Sequence, residues 1–183
     1  MTHTAGIVLL AGAAAFVAVA FAPASFVFGM SDPDERRAFL ERHARSWRWG
    51  QLPFAAGAVV SAVGLLVLGR ELDGTPGTAV SWAGVLAVVA SLPWAEHCRR
   101  RALSVEDFLE GRLPGWHFVV YVWGTLAALA VTGLALLHTE LPQWSAWLVL
   151  GATAGFTAAW LRFRDLPPFV FYVVTGVLGG AAL

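Results

Sequence analysis

Six long apolar stretches, separated by short polar segments, constrain this chain more than any other feature of its sequence. A helix needs roughly 20 mostly apolar residues to cross the hydrocarbon core of a bilayer. Charged residues make up only 13% of the 183 residues, against about 25% in a typical soluble domain. The sequence therefore predicts an all-α integral membrane protein, a single domain over 1–183 built as a bundle of six transmembrane helices. The six stretches, the last of which is the shortest, cover about 5–29, 52–69, 77–95, 115–137, 143–161 and 167–183.

The arginines are divided very unevenly between the two sides of such a bundle. Eleven of the twelve lie in the segments 30–51, 96–114 and 162–166, and only Arg70 lies on the other side. Short loops rich in Arg and Lys remain in the cytoplasm, so this side is predicted to be cytoplasmic, with both termini outside. All basic residues are arginine and Ala, Gly and Val are abundant, which indicates the inner membrane of a bacterium.

Two of the polar segments carry helix signals of their own. In 30–51, Asp32 followed by Pro33 and Glu35 is typical of a helix start, and apolar residues then recur at helical spacing. In 96–114, Ser104 and Asp107 form a capping-box pattern. The sequence predicts one or two short amphipathic helices lying at the cytoplasmic interface.

The arginine side is the first candidate binding surface. These arginines either contact anionic lipid headgroups or an acidic partner, each contributing on the order of 1 kcal/mol, or serve only to set the topology. A formal net charge of zero argues against a nucleic-acid partner. The candidate contact residues are Arg36, Arg37, Arg45, Arg48, Arg99, Arg100 and Arg101.

The second candidate is a metal or haem site at the ends of the third and fourth stretches. His97 and Cys98, with Glu96 beside them, lie at the end of one stretch, and His117 lies at the start of the next. Imidazole, thiolate and carboxylate are ligands of zinc and iron. However, neighbouring residues of a helix point in different directions, so the sequence favours no metal and leaves the cofactor unknown.

Small residues spaced four apart mark the last two stretches. Such patterns let helix backbones approach closely in a membrane. They predict packing between helices of this chain, or a face for a homo- or hetero-oligomer. The residues concerned are Gly151 and Gly155 in the fifth stretch, and Gly176 and Gly180 in the sixth.

No catalytic motif is evident, so the sequence favours a protein that is not an enzyme. The apolar spans, without internal carboxylates, favour an accessory membrane subunit or a small permease for a neutral or lipid-like ligand. One alternative is a haem- or metal-binding redox protein using His97 and His117. A second is an interfacial lipid-modifying enzyme using Glu96, or Glu106 with Asp107, as acid or base.

Overall fold

Every regular element of the chain is helical in the residues that the structure, a computed structural model, describes, namely 2–163 and 169–183. Within these described ranges, eight α-helices and one 3-10 helix (η1) follow one another. Their bounds are α1 (His3–Ala20), η1 (Pro23–Gly29), α2 (Pro33–Arg42), α3 (Ala44–Glu71), α4 (Gly74–Leu103), α5 (Val105–Leu109), α6 (Trp116–Leu136), α7 (Gln143–Phe163) and α8 (Val170–Ala182).

Five helices among the described residues are long and apolar enough to cross a membrane: α1, α3, α4, α6 and α7. The sixth predicted span corresponds to α8, which has 13 residues and is roughly 20 Å long, short of the roughly 30 Å hydrocarbon core. Residues 167 and 168, where that span was predicted to begin, lie outside the described residues. A membrane-embedded helical bundle is therefore supported, but the count of six spans is not confirmed.

The long helices pack as sequential neighbours, α1 on α3, α3 on α4, α4 on α6 and α6 on α7, while α8 lies against α1, α3 and α7. The two ends of the bundle differ in the residues that they carry. At one end, here called the arginine-rich end, Arg37 of α2 meets α5, and Arg48 of α3 and Arg99 of α4 line the same groove. At the opposite end an open cavity is lined by residues that include Thr2, Glu71, Asp73, His138 and Glu140.

The first apolar stretch is not one helix. It was predicted to run over about 5–29, but α1 ends at Ala20 and η1 begins at Pro23. Proline has no N–H for the helical ladder and its ring clashes with the preceding turn. Pro23 instead occupies the first position of η1, where the missing N–H costs nothing.

Two of the long helices continue into the segments predicted to be loops. The segment 30–51 is divided at His43, after which α3 already begins at Ala44, so that Pro53 lies inside α3 rather than at its start. Likewise α4 continues past Pro93 to Leu103, so residues 96–103 of the predicted loop 96–114 are helical. The loop 162–166 lies only partly within the described residues, and its first two belong to α7.

Small residues close the interfaces between helices. A Cβ placed on Gly64 would lie 2.7 Å from a side-chain carbon of Leu9 in α1, and one on Gly84 would lie 2.5 Å from the backbone nitrogen of Leu66 in α3. Because membrane helices gain little from the hydrophobic effect, such close backbone approach is a main source of their packing energy. The bundle interior is thus held by glycines in α3 and α4 that were not among those predicted for packing.

Candidate functional site

The arginine-rich end carries a small second core, separate from the main core of the bundle. Ala24, Val27, Leu40 and Trp47 are buried together, and residues of α2 and α5 pack around them. We call this assembly of η1, α2, α5 and the first turn of α3 the cap. The apolar stripe predicted to rest on lipid is therefore partly covered by protein, because Leu40 and Trp47 face α5 and η1.

Local hydrogen bonds begin both cap helices as the sequence predicted. The Asp32 carboxylate accepts the backbone N–H of Asp34 at 2.8 Å and that of Glu35 at 3.2 Å. The Ser104 hydroxyl accepts the backbone N–H of Asp107 at 3.1 Å. These bonds satisfy amides that the first turn of a helix leaves unpaired. The predicted starts of both short helices are confirmed.

Ion pairs tie the cap helices together and engage the acids that were considered for catalysis. Arg37 of α2 lies 4.0 Å from Glu106 and 4.0 Å from Glu110 of α5. Arg112 donates to Asp107 at 2.8 Å and pairs with Glu110. The guanidinium of Arg112, followed by the hydroxyl of Ser104, lowers the pKa of Asp107. Asp107 and Glu106, two of the acids considered for catalysis, are thus each engaged with an arginine.

Glu96 is bound by two arginines of its own helix. Arg99 forms two hydrogen bonds with its carboxylate, Nε to Oε2 at 2.6 Å and Nη2 to Oε1 at 2.9 Å, and Arg100 adds a third at 2.8 Å. The fork of a guanidinium suits such a two-point contact. Arg99 and Arg100 thus belong to a charge cluster in which two cations share one acid.

Arg45 and Arg48 differ from the other predicted contact residues, because neither forms a hydrogen bond or an ion pair with any described residue. Both are exposed on the first turns of α3. Trp49, which is 64% exposed, and Leu52 lie next to them on the same helix. By contrast, the Arg36 guanidinium donates to the carbonyl of Met30 at 2.5 Å. The unpaired guanidiniums of Arg45 and Arg48 therefore lie directly beside exposed apolar side chains of α3.

Arg101 does not belong to the surface with which the sequence grouped it. Only 8% of the residue is exposed, and its guanidinium carbon lies 4.8 to 5.9 Å from four aromatic ring centres. No described carboxylate pairs with it, and its Nε is buried without a partner. Cation–π attraction offsets part of the cost of burying such a charge. The four rings belong to Phe28, Trp47, Trp94 and Phe108.

The two histidines of the metal hypothesis are brought together, but a third ligand is not. The ring centres of His97 and His117 are 6.1 Å apart, and the Nδ1 atoms of both are buried without a hydrogen-bond partner. Cys98 is fully buried. Within the described residues, no three His, Cys, Asp or Glu side chains are grouped so that they could hold a metal ion. One face of His97 is also stacked on Trp94, with ring centres 5.6 Å apart.

The glycines predicted for helix packing fall into two groups. A Cβ on Gly176 would lie 2.6 Å from the Cβ of Ala13, so this position packs α8 on α1. A Cβ on Gly151, Gly155 or Gly180 would meet no described atom within 4 Å. In α8 the residue that contacts α1 beside Gly176 is Gly179, where a Cβ would lie 2.9 Å from the carbonyl oxygen of Gly6. Spacing alone does not show which side of a helix faces its neighbour.

An open groove of about 480 Å³ lies between α3 and α4 at the arginine-rich end. Arg48 and Arg99 bring positive charge to it, whereas most of its remaining surface is apolar. Gln51 also lines the groove and is only 2% exposed; its Nε2 donates to the carbonyl of Trp47 at 3.4 Å, but its Oε1 has no partner. The remaining lining residues are Trp49, Leu52, Ala55, Ala95, Ala102 and Leu103.

Gln51 was not predicted as a site residue from the sequence. It was assigned to the end of a polar loop, whereas it lies within α3, four positions after Trp47 on the same side of the helix. A polar side chain on the buried side of an amphipathic pattern is the signal that was available. Buried amides normally have their hydrogen bonds satisfied, so the Oε1 of Gln51, which is buried without a partner, is an exception.

The long apolar helices and the charged cap at one end define an all-helical, multi-pass membrane protein. Comparison with protein-family models, with curated proteins and with solved structures finds no match to this chain. The geometry of the arginine-rich end is therefore the basis on which a function can be proposed.

Proposed function

We propose that this protein is a non-catalytic membrane module that binds anionic phospholipids at its arginine-rich end. The observation that carries the proposal is the pair of unpaired, exposed guanidiniums of Arg45 and Arg48, set beside exposed Trp49 and Leu52. Guanidiniums bind phosphate through two parallel N–H donors. Indole rings settle at the level of the headgroups, because the N–H is polar and the ring is not. This combination suits a phosphate with hydrocarbon beneath it.

We expect the double variant Arg45→Ala, Arg48→Ala to lose its preference for anionic lipid. Each arginine near an anionic surface contributes on the order of 1 kcal/mol. The measurement is the rise in melting temperature when phosphatidylglycerol, compared with phosphatidylcholine, is added to the purified protein, because a ligand that binds only the folded state stabilises it. The wild type should show a rise that is specific for phosphatidylglycerol and weakens in high salt.

Arg70→Ala provides the matched control, since Arg70 is an exposed arginine at the other end of the same helix. It should leave the phosphatidylglycerol effect unchanged. A double variant that keeps the full effect, or an Arg70→Ala variant that loses it, would refute the proposed role of the arginine-rich end.

An accessory role is favoured over that of a permease by the packing of the bundle. A permease has to open a path between helices, whereas glycine contacts bring backbones together where α3 meets both α1 and α4. The ionisable side chains that usually mark transport paths lie at the two ends of the long helices. A module that stays closed and presents a charged cap is consistent with a subunit that holds lipid or anchors a complex.

We further propose that the arginine-rich end faces the cytoplasm of a bacterial inner membrane, with both termini outside. The support is the eleven-to-one division of the arginines. A reporter that is active only in the cytoplasm should give signal when fused into the segment between α5 and α6, and none when fused to the N-terminus. Activity at the N-terminus would reverse the orientation.

A second candidate function is metal or haem binding, which the proximity of His97 and His117 favours over lipid modification at the interface. The two unpartnered Nδ1 atoms are the donors it would use. An absorption spectrum without a Soret band, together with a metal analysis showing no stoichiometric metal, would eliminate it.

A further inference from the structure

We infer that the groove between α3 and α4 is a discrete site for one anionic phospholipid, whose phosphate lies between Arg48 and Arg99. One acyl chain would follow the apolar wall formed by Leu52, Ala55 and Ala95. This inference rests on the proposed function and sharpens it, because it replaces a charged surface by a single site with a stoichiometry of one lipid per chain.

The charge at the groove favours an anionic headgroup. Arg48 has no partner among the described residues, and Arg99 shares Glu96 with Arg100. When a phosphate binds Arg99, Glu96 keeps Arg100 as its partner, so no buried charge is left unpaired by the exchange. Arg48, Arg99, Arg100 and Glu96 together carry two net positive charges, which complements an anionic headgroup and not a cationic one.

Gln51 borders the groove but keeps its amide within the protein. Its Nε2 donates to the carbonyl of Trp47 at 3.4 Å, and its Oε1 is buried without a partner. The polar contacts that the groove offers to an occupant are therefore the guanidiniums of Arg48 and Arg99.

The polarity of the walls distinguishes a lipid from a soluble anion. The residues below Arg48 and Arg99 are alanine and leucine, and Trp49 borders the groove at the level of the arginines. A soluble anion such as free phosphate would gain nothing from these apolar walls, whereas an acyl chain would remove them from contact with other lipids. The occupant is therefore a lipid of the bilayer and not a free metabolite.

The experiment is native mass spectrometry of the full-length protein released from nanodiscs that contain equal amounts of phosphatidylglycerol and phosphatidylcholine. We expect one retained phosphatidylglycerol per chain. Arg48→Ala should lower its retention about fivefold, the factor that corresponds to one lipid-facing arginine. Arg45→Ala, which removes an equally free arginine outside the groove, should change it by less than about twofold on the same scale.

Filling the groove gives a second, independent test. Ala55 lines the groove and its neighbour Ala56 is exposed and does not. Ala55→Leu should displace the retained lipid, whereas Ala56→Leu should not.

The possible outcomes separate this inference from the proposed function. If Arg45→Ala and Arg48→Ala weaken lipid retention equally and Ala55→Leu has no effect, the groove is overturned while the charged surface remains. If the wild type shows no preference for phosphatidylglycerol, both are overturned. If the wild type retains phosphatidylcholine and the Ala55→Leu variant does not, the groove binds an apolar chain, and the inference of an anionic headgroup is overturned.

Discussion

Gly84→Leu should prevent the bundle from closing and abolish the folded protein. Even the first atom of a new side chain at this position would lie 2.5 Å from the backbone nitrogen of Leu66 and 2.6 Å from its Cα. These are backbone atoms, so they cannot rotate away and α3 and α4 would have to separate. Overpacking in protein cores typically costs about 1–3 kcal/mol for a few added methylenes, and a whole leucine at a helix crossing exceeds this. The measurement is the fraction of purified protein that elutes as one monodisperse species in detergent.

Gly151→Leu is the matched control, because Gly151 also lies inside a long helix and no described atom lies within 4 Å of where its Cβ would be. It should yield folded protein at the wild-type level. The two alanine variants should show the same order. Gly84→Ala should lower the free energy of unfolding, whereas Gly151→Ala should raise it by up to about 1 kcal/mol through its higher helix propensity. Equal yields for the two leucine variants would contradict the α3–α4 packing described here.

Trp94→Ala should be the most damaging truncation in the bundle. The ring is 2% exposed and stacks on Tyr121, with ring centres 5.0 Å apart. Its Nε1 donates to the Tyr172 hydroxyl at 2.9 Å, and that hydroxyl donates to the Phe54 carbonyl at 2.6 Å, so the Tyr172 hydroxyl joins α4 and α3 to α8. Removing a buried tryptophan costs about 3–5 kcal/mol. The thermal unfolding midpoint in detergent measures the effect.

Trp147→Ala is the control, since Trp147 is 63% exposed and its truncation should shift the midpoint little.

A double-mutant cycle isolates the hydrogen bond between Trp94 and Tyr172. Tyr172→Phe alone leaves the Trp94 N–H unsatisfied and should cost about 1–3 kcal/mol, whereas Trp94→Phe with Tyr172→Phe removes both partners and should cost less than the two single changes summed. Strict additivity would show that the hydrogen bond contributes nothing.

Trp94 also connects the bundle to the cap. Its ring faces Arg101, whose guanidinium is also surrounded by Phe28 and Phe108 of the cap. The backbone carbonyl of Arg101 accepts the Trp47 Nε1 at 2.9 Å. A buried arginine thus stands where the membrane bundle meets the cap, and it holds the end of α4 against the start of α3.

Features that depend on a few neighbouring residues were predictable from the sequence. Asp32 and Ser104 cap their helices as expected, because a cap needs only a side-chain oxygen and the amides two or three positions later. The long apolar helices were also expected, since their length and composition decide whether they suit water or lipid. The helices α3 and α4 run on into segments assigned to loops, because arginine has a high helix propensity and its stem can lie along apolar surface while its charge stays in water.

Features that depend on how helices are rotated against one another were not predictable. Gly176 packs against Ala13 while Gly180, one turn later, faces away, and Gly179 takes its place. Arg101 is buried while Arg99, two residues earlier, lines the groove. Successive residues of a helix are rotated by about 100° from one another. A modest rotation of the helix about its axis therefore exchanges a buried residue for an exposed one.

The sequence by itself determined that this chain is a multi-pass helical membrane protein with its arginines gathered at one end, because hydropathy and charge act through the solvent and need no partner. Only the tertiary structure decided which arginines are free, paired or buried, and that Gln51 faces a groove between α3 and α4. Those properties arise where two helices meet, and the residues that meet are far apart in the chain.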